Sequence, residues 1–213
     1  MAQNFTELAN FIWSVADLLR GDYKQADYGK IILPFTLLRR LDCVLEGTKD
    51  AVLKEYEAHK HSGAGLDHRL KRKSAQAFYN TSPFTLPGLL DDQKHVRQNL
   101  IAYVGDFSED ARDVFERFKF TERVAELEDK DLLFQLVQKF ANVDLHPDAV
   151  PNETISLVFE ELIRKFAEAS NETAGEHFTP REVIRLMVNL LFVEDDDALT
   201  KPGIVRTIYD PTA

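Results

Sequence analysis

Features common in exported and membrane proteins are missing from this 213-residue sequence. It has one cysteine, Cys43, which excludes an internal disulfide and fits a reducing compartment. The longest apolar stretch, 31–38, is interrupted by Pro34 and Thr36, so no membrane span is expected. No basic region followed by an apolar run marks the N-terminus as a secretory signal. We therefore expect a cytoplasmic protein without a membrane partner, whose cysteine is a buried structural thiol.

Positive charge is also scarce, because the sequence has 26 basic and 36 acidic residues, which gives a net charge of −10. A protein that binds DNA non-specifically on its own needs basic surface to displace counterions. Any contact with DNA must therefore be local, or must be supplied by a partner. One stretch is basic enough to meet phosphate, although a solvated helix face is the preferred interpretation: Arg69, Lys71, Arg72 and Lys73.

Motifs for catalysis and metal binding are absent as well. The sequence has no Gly-x-Ser-x-Gly motif, no phosphate-binding glycine loop and no Pro-Pro pair. Three histidines, His59, His61 and His68, have no cysteine or carboxylate partners at ligand spacing, so no zinc site is predicted. The acidic run 195–197 lacks the spacing of a calcium loop and is interpreted as a turn.

What the sequence does contain is helical periodicity. Apolar residues at three-and-four spacing predict an all-helical domain over 1–170. Pro34 should either kink the second helix or mark its start. The predicted helices span about 4–20, 28–45, 49–60, 67–77, 92–104, 108–118, 129–140 and 152–169.

The composition changes at the polar segment 170–175. Beyond it, a helix is predicted over 179–192, followed by an acidic turn and a short strand that ends at Asp210. A helix followed by a strand is typical of the opening of an α/β domain. The predicted fold class is therefore mainly α, with a helical domain at 1–170. The segment 171–213 is expected to be the truncated start of a Rossmann-like domain.

The segment 175–182 allows two interpretations. In the first, Thr179 is a helix N-cap and Glu182 completes its capping box. In the second, Phe178 lies beside the free amides of the helix N-terminus, where they could hold the carboxylate of a small zwitterionic cofactor. About thirty residues downstream, 210–213 follows the strand as a cofactor loop follows the first strand of a Rossmann-like sheet.

Taken together, Gly-Glu-His-Phe-Thr-Pro-Arg at 175–181 and Tyr-Asp-Pro-Thr-Ala at 209–213 resemble two S-adenosylmethionine motifs of adenine-specific DNA methyltransferases. Three further segments, 19–21, 30–41 and 159–166, are similar to the N-terminal part of the modification (M) subunit of type I restriction-modification systems. The resemblance covers essentially the whole chain. Its specificity lies in the ordered combination of motifs.

The resemblance implies methyl transfer from S-adenosylmethionine to the exocyclic amino group of adenine, with the target base turned out of the duplex. Carried over position by position, it places the methionine end of the cofactor beside 176–181 and the start of the cofactor loop at 210–213. His177 stands where the family usually has an aromatic residue. The implied cofactor-binding residues are Glu176, His177, Phe178, Thr179, Pro180, Arg181, Asp210, Thr212 and Ala213.

The resemblance also implies partners: a specificity (S) subunit, a second modification (M) subunit, a restriction (R) subunit and double-stranded DNA. In this family the helical domain supports assembly and closes on DNA. The family's catalytic Asn/Asp-Pro-Pro-aromatic motif and its ribose-binding acid are absent from this sequence. We therefore expect no catalytic residue here and no methylation by this fragment alone.

Two alternatives stay open from the sequence. One is a free-standing helical adaptor without an enzymatic parent, in which Thr179 is only a cap and Asp210 only begins a turn. The other is a fragment of a single-chain enzyme that combines restriction with methylation.

Overall fold

The computed structural model describes residues 5–61, 65–169, 179, 181–193, 201–203, 207 and 209. Regular secondary structure in these residues is helical, and β-pairing is limited to two isolated bridges, Arg20–Tyr23 and Asn80–Phe107. The chain divides into two compact units, Met1–Glu172 and Thr173–Ala213. The predicted mainly α fold is confirmed.

The described part of the first unit is built from nine α-helices joined by short loops and 3-10 turns. None of the described helices combines the length and the apolar character that crossing a bilayer requires. The helix predicted from Asp92 begins instead with a 3-10 turn. The helices are α1 (Phe5–Leu19), α2 (Gln25–Leu45), α3 (Lys49–His59), α4 (Leu66–Ser74), α5 (Val96–Gly105), α6 (Glu109–Arg117), α7 (Phe120–Asp129), α8 (Leu133–Ala141) and α9 (Asn152–Ala169).

Pro34 lies inside α2, which runs without interruption over Gln25–Leu45. The predicted alternative that Pro34 marks the start of the helix is therefore wrong. A proline removes one backbone hydrogen bond from a helix and crowds the preceding turn. The face around it is buried, including Ile31, Ile32 and Phe35, so the packing of this face holds the helix together across the proline.

The predicted helix 129–140 overlaps two helices in the structure, the end of α7 and most of α8. α7 was not predicted and ends at Asp129, whereas α8 begins only at Leu133. Lys119 and Asp131 adopt left-handed backbone conformations, with φ of 53° and 57°. A right-handed helix cannot continue through such a residue, so these two positions separate α6 from α7 and α7 from α8.

Aromatic side chains form the centre of the first unit. The ring of Phe35 lies 5.1 Å from that of Phe120 and 5.7 Å from that of Phe140, measured between centroids. Phe115 lies 5.4 Å from Phe120. These rings come from α2, α6, α7 and α8, and burying each one stabilises the fold by about 1.5–3 kcal/mol. They belong to one continuous hydrophobic core that also includes residues of α1, α5 and α9.

In the second unit the structure describes one helix, α10 (Arg181–Phe192). Its extent agrees with the predicted helix over 179–192. The predicted terminal strand falls mostly outside the described residues, and its described members Thr207 and Tyr209 have no regular secondary structure.

Candidate functional site

The four predicted phosphate-binding residues all lie on α4. Gly65, with φ of 94°, precedes this helix, and Ala75, with φ of 54°, follows it. α4 packs against α3, and its Leu70 is buried whereas its Arg72 is exposed. Because Leu70 is the one buried large apolar residue of the helix, the remaining positions are free to be polar.

Glu55 on α3 binds two of these cations. Its Oε1 lies 3.3 Å from Arg69 Nη1, and its Oε2 lies 3.6 Å from Lys73 Nζ. Desolvation opposes ionisation of Glu55, but the hydrogen bond from Arg69 and the charges of His59 and Lys73 outweigh it and lower the pKa of the carboxyl. The carboxylate therefore stays ionised and neutralises one side of α4.

A third cation of α4, Lys71, is bound by two carboxylates. Its Nζ lies 3.1 Å from Asp67 Oδ2 and 3.2 Å from Asp110 Oδ2. Hydrogen bonds to Asp67 and then to Asp110 raise the pKa of Lys71. Asp110 belongs to α6, so this lysine ties α4 to another part of the helical unit.

The predicted phosphate contact on α4 gains little support from this arrangement. Glu55, Asp67 and Asp110 place three negative charges against the four positive ones. Of the four basic residues, Arg69, Lys71 and Lys73 form ion pairs, whereas Arg72 forms none with the described part of the chain. A patch that binds DNA electrostatically needs unpaired cations facing the phosphates. A solvated, internally paired helix face explains α4 better.

Most predicted cofactor-binding residues lie outside the described part of the chain. This is so for Glu176, His177, Phe178, Pro180, Asp210, Thr212 and Ala213. Thr179 is described and exposed, and Arg181 is the first residue of α10. The two motif segments therefore remain sequence predictions.

A buried polar cluster on α2 was not predicted. Arg39 Nη1 donates to Asp42 Oδ2 at 2.7 Å, and both side chains are almost inaccessible to solvent. Asp42 Oδ1 also accepts bonds from Tyr103 Oη at 2.5 Å and from the backbone N–H of Leu86 at 3.1 Å. Burial, followed by the charge of Asp42, raises the pKa of Tyr103 well above its ordinary value. The cluster joins α2 to α5 and to the loop that precedes it.

Lys49, at the start of α3, extends this polar cluster. Its Nζ donates to the Phe84 carbonyl at 2.5 Å and to Asn80 Oδ1 at 3.2 Å. It also lies 5.0 Å from the centre of the Tyr103 ring, within cation–π range. Burial lowers the pKa of Lys49 to about 8, although the charges of Asp42 and Asp106 oppose the shift. The sequence signal for this cluster is limited to Arg39, Asp42 and Lys49, which are charged residues within an apolar helix or shortly after it.

The described residues contain no group of histidine, cysteine or acidic side chains that could hold a metal ion. Cys43 is buried and free, as predicted, and burial raises the pKa of its thiol. A thiol that stays protonated is a poor nucleophile. The buried polar groups described above join α2, α3 and α5 to one another and to the loop that precedes α5.

Residues 8–140 match the protein family described as the HsdM N-terminal domain, and this match covers more than half of the chain. The chain belongs to that family. Residues 151–213 match a second family, described as N-6 DNA Methylase. The order of the two matches along this HsdM-family chain is the order that the sequence motifs predicted.

A curated relative supports the same assignment. It is the type I restriction enzyme MjaIX methylase subunit of Methanocaldococcus jannaschii, which is 21% identical over 201 residues. The alignment covers 88% of this chain and 36% of that relative. The chain therefore corresponds to about a third of the length of the relative.

The family matches and the compact units do not divide the chain at the same place. The N-6 DNA Methylase match begins at residue 151, whereas the first compact unit extends to Glu172. α9 falls between these limits. It belongs to the methylase match by sequence and to the helical unit by packing.

Proposed function

We propose that the chain is the N-terminal part of the methylase subunit of a type I restriction-modification system. The observation that carries the proposal is the HsdM N-terminal domain match at 8–140 followed directly by the N-6 DNA Methylase match at 151–213. The likeness to the MjaIX methylase subunit supports it. A free-standing adaptor does not account for the second match.

In the longer protein, the proposed reaction transfers the methyl group of S-adenosylmethionine to the N6 amino group of adenine. An adenine inside a duplex is out of reach of such a site, so the base must be turned out of the stack. Cofactor contacts are proposed for 176–181 and for Asp210, Thr212 and Ala213. Thr179 and Arg181 fit this role because they stand at the N-terminal end of α10, where free amides favour an anionic group.

For the helical unit we propose a role in assembly. Its partners would be a specificity subunit, a second methylase subunit, a restriction subunit and double-stranded DNA. Several charged groups of α2, α3 and α4 form ion pairs or hydrogen bonds within the helical unit, which supports a structural role for this unit. The strongly acidic chain is itself a poor ligand for DNA, so DNA contact would depend on the assembled complex.

Two experiments test this proposal. Mixing the chain with the specificity subunit of the same system should give a complex in size-exclusion chromatography at micromolar concentration. An unrelated acidic protein of similar size serves as the control, and a chain that fails to associate would count against the assembly role.

Calorimetry with S-adenosylmethionine tests the expected incompleteness of the cofactor site. We expect no measurable heat of binding at micromolar concentrations, because the family's glycine loop and ribose-binding acid are absent from the sequence. Micromolar binding would show that the segments present here suffice to hold the cofactor.

A further inference from the structure

α9 connects two parts of the chain that carry different family matches. It packs on α2 and α1, and Ile155 and Val158 are 8% and 2% exposed within the helical core. The same helix opens the segment that matches N-6 DNA Methylase. Whatever fixes the start of α9 therefore also fixes where that segment begins on the helical unit.

Two neighbouring arginines of α2 hold the connector 142–151 that precedes α9. Nε of Arg39 donates to the carbonyl of Val143 at 2.8 Å, and Arg40 makes the contacts nearest to α9. Nη1 of Arg40 donates to the carbonyl of Leu145 at 2.5 Å and to the carbonyl of Val150 at 2.6 Å. Nη2 donates to Oδ1 of Asn152, the first residue of α9, at 2.5 Å. The guanidinium of Arg40 thus binds two carbonyls of the connector and the first residue of the helix.

Burying this guanidinium carries a free-energy cost, since Arg40 is 9% exposed. Burial also lowers the pKa of Arg40. The cost is offset by the three hydrogen bonds, of which two go to the backbone carbonyls of Leu145 and Val150 and one to the side-chain oxygen of Asn152. The planar fork of arginine can reach all three acceptors at once, whereas the single ammonium of lysine cannot match that geometry.

We propose that Arg40 is a positioning residue that sets the start of α9 on the helical unit. The placement of the first helix of the methylase-matching segment then depends on a side chain more than 100 residues earlier in the chain. The positioning itself follows from the contacts of Arg40. Its consequence for methylation in a longer protein rests on the proposed function.

Hydrogen exchange measured on the whole chain tests the proposal. In Arg40→Met, amides of the connector and of the first two turns of α9 should exchange about tenfold or more faster. Local opening of this segment costs less free energy when the three hydrogen bonds of Arg40 no longer have to be broken. Amides of α5 and α7 should change much less. Arg20→Met, which removes an exposed arginine that pairs with Asp17 in its own helical turn, is the control and should leave α9 unchanged.

A second variant covers the outcome in which Arg40→Met does not fold. Asn152→Ala removes one acceptor while leaving the guanidinium in place, and it should accelerate exchange in the same segment to a smaller degree. The double variant should show less than the product of the two separate effects, because both act on one contact.

Unchanged α9 exchange in a folded Arg40→Met chain would overturn the proposal. Equal acceleration throughout the core in both variants would also overturn it, since Arg40 would then contribute only to global stability. Neither result depends on cofactor binding or on a specificity subunit, so failure here is distinguishable from failure of the proposed function.

Discussion

The pH dependence of stability should reveal the buried amine of Lys49. An unfolded lysine titrates near 10.5, whereas burial lowers the pKa of Lys49 in the folded chain to about 8. Below pH 8 the amine is protonated in both states, and the folded state bears the full cost of the buried charge. As the pH rises from 8 to 10.5, the folded chain releases its proton first, so the unfolded state binds more protons and stability rises.

The size of the effect follows from the two pKa values. Their separation corresponds to about 3 kcal/mol at most, gained with a slope of up to about 1.4 kcal/mol per pH unit. Tyr103 and Cys43 also affect the pH dependence of stability, because burial raises the pKa of each above its value in the unfolded chain. Their ionisation in the unfolded state lowers stability at high pH. The contribution of Lys49 must therefore be taken from a difference between variants.

Urea unfolding between pH 7 and 9.5 should be measured for the unsubstituted chain, for Lys49→Met and for Lys54→Met. The contribution of Cys43 is common to all three chains, and that of Tyr103 stays small below pH 9.5 because an unfolded tyrosine titrates near 10. The unfolding free energy of the unsubstituted chain should rise relative to Lys49→Met by about 1 kcal/mol per pH unit above pH 8. Lys54, an exposed lysine on the same helix, is the matched control and should give a curve parallel to that of the unsubstituted chain. Parallel curves for Lys49→Met would refute the reasoning.

Three further tests of the fold use substitutions measured by urea unfolding at pH 7. Tyr103→Phe loses its 2.5 Å hydrogen bond to a buried carboxylate and should lower the unfolding free energy by about 1.5–3 kcal/mol; no loss would mean that the bond is not formed. Phe120→Ala should cost about 3–5 kcal/mol, whereas Val114→Ala, at a position 37% exposed, should cost under about 1 kcal/mol. Similar losses would contradict the core assignment. Gly21→Ala places a side chain at φ of 97° and should cost about 1–2 kcal/mol, whereas Gly47→Ala has open space without that strain and should be neutral or slightly stabilising.

The sequence predicts α1 and α9 well because their apolar spacing is regular and polar segments bound them. α7 was missed although Phe120, Val124 and Leu127 carry the same spacing. The difficulty lies at its ends, where Lys119 and Asp131 take up left-handed conformations. Neither is a glycine, and although aspartate adopts this conformation more often than most residues, one aspartate is a weak local signal, so tertiary packing decides these breaks.

The buried charges of α2 could not be placed from the sequence for a different reason. A charge next to apolar residues is normally assigned to the solvent face of a helix. Arg39 and Arg40 instead reach carbonyl groups of Val143 and Leu145, which lie 104 and 105 residues further along. Periodicity identifies which residues share a helix face, but not what a remote segment presents to that face. The same holds for Lys71, whose partner Asp110 lies on another helix.

These long-range bonds also explain why a family boundary and a folding boundary differ in this chain. A sequence family is delimited by the residues that occur together in related proteins, and the methylase match starts at residue 151. A folding unit is delimited by buried surface and by satisfied polar groups. Ile155 and Val158 complete the helical core, and Asn152 accepts a bond from Arg40, so removing α9 would expose the apolar face of α2 and leave a buried guanidinium with one acceptor fewer. The helical unit therefore includes the first helix of the methylase match, and the two families are joined through a shared structural element.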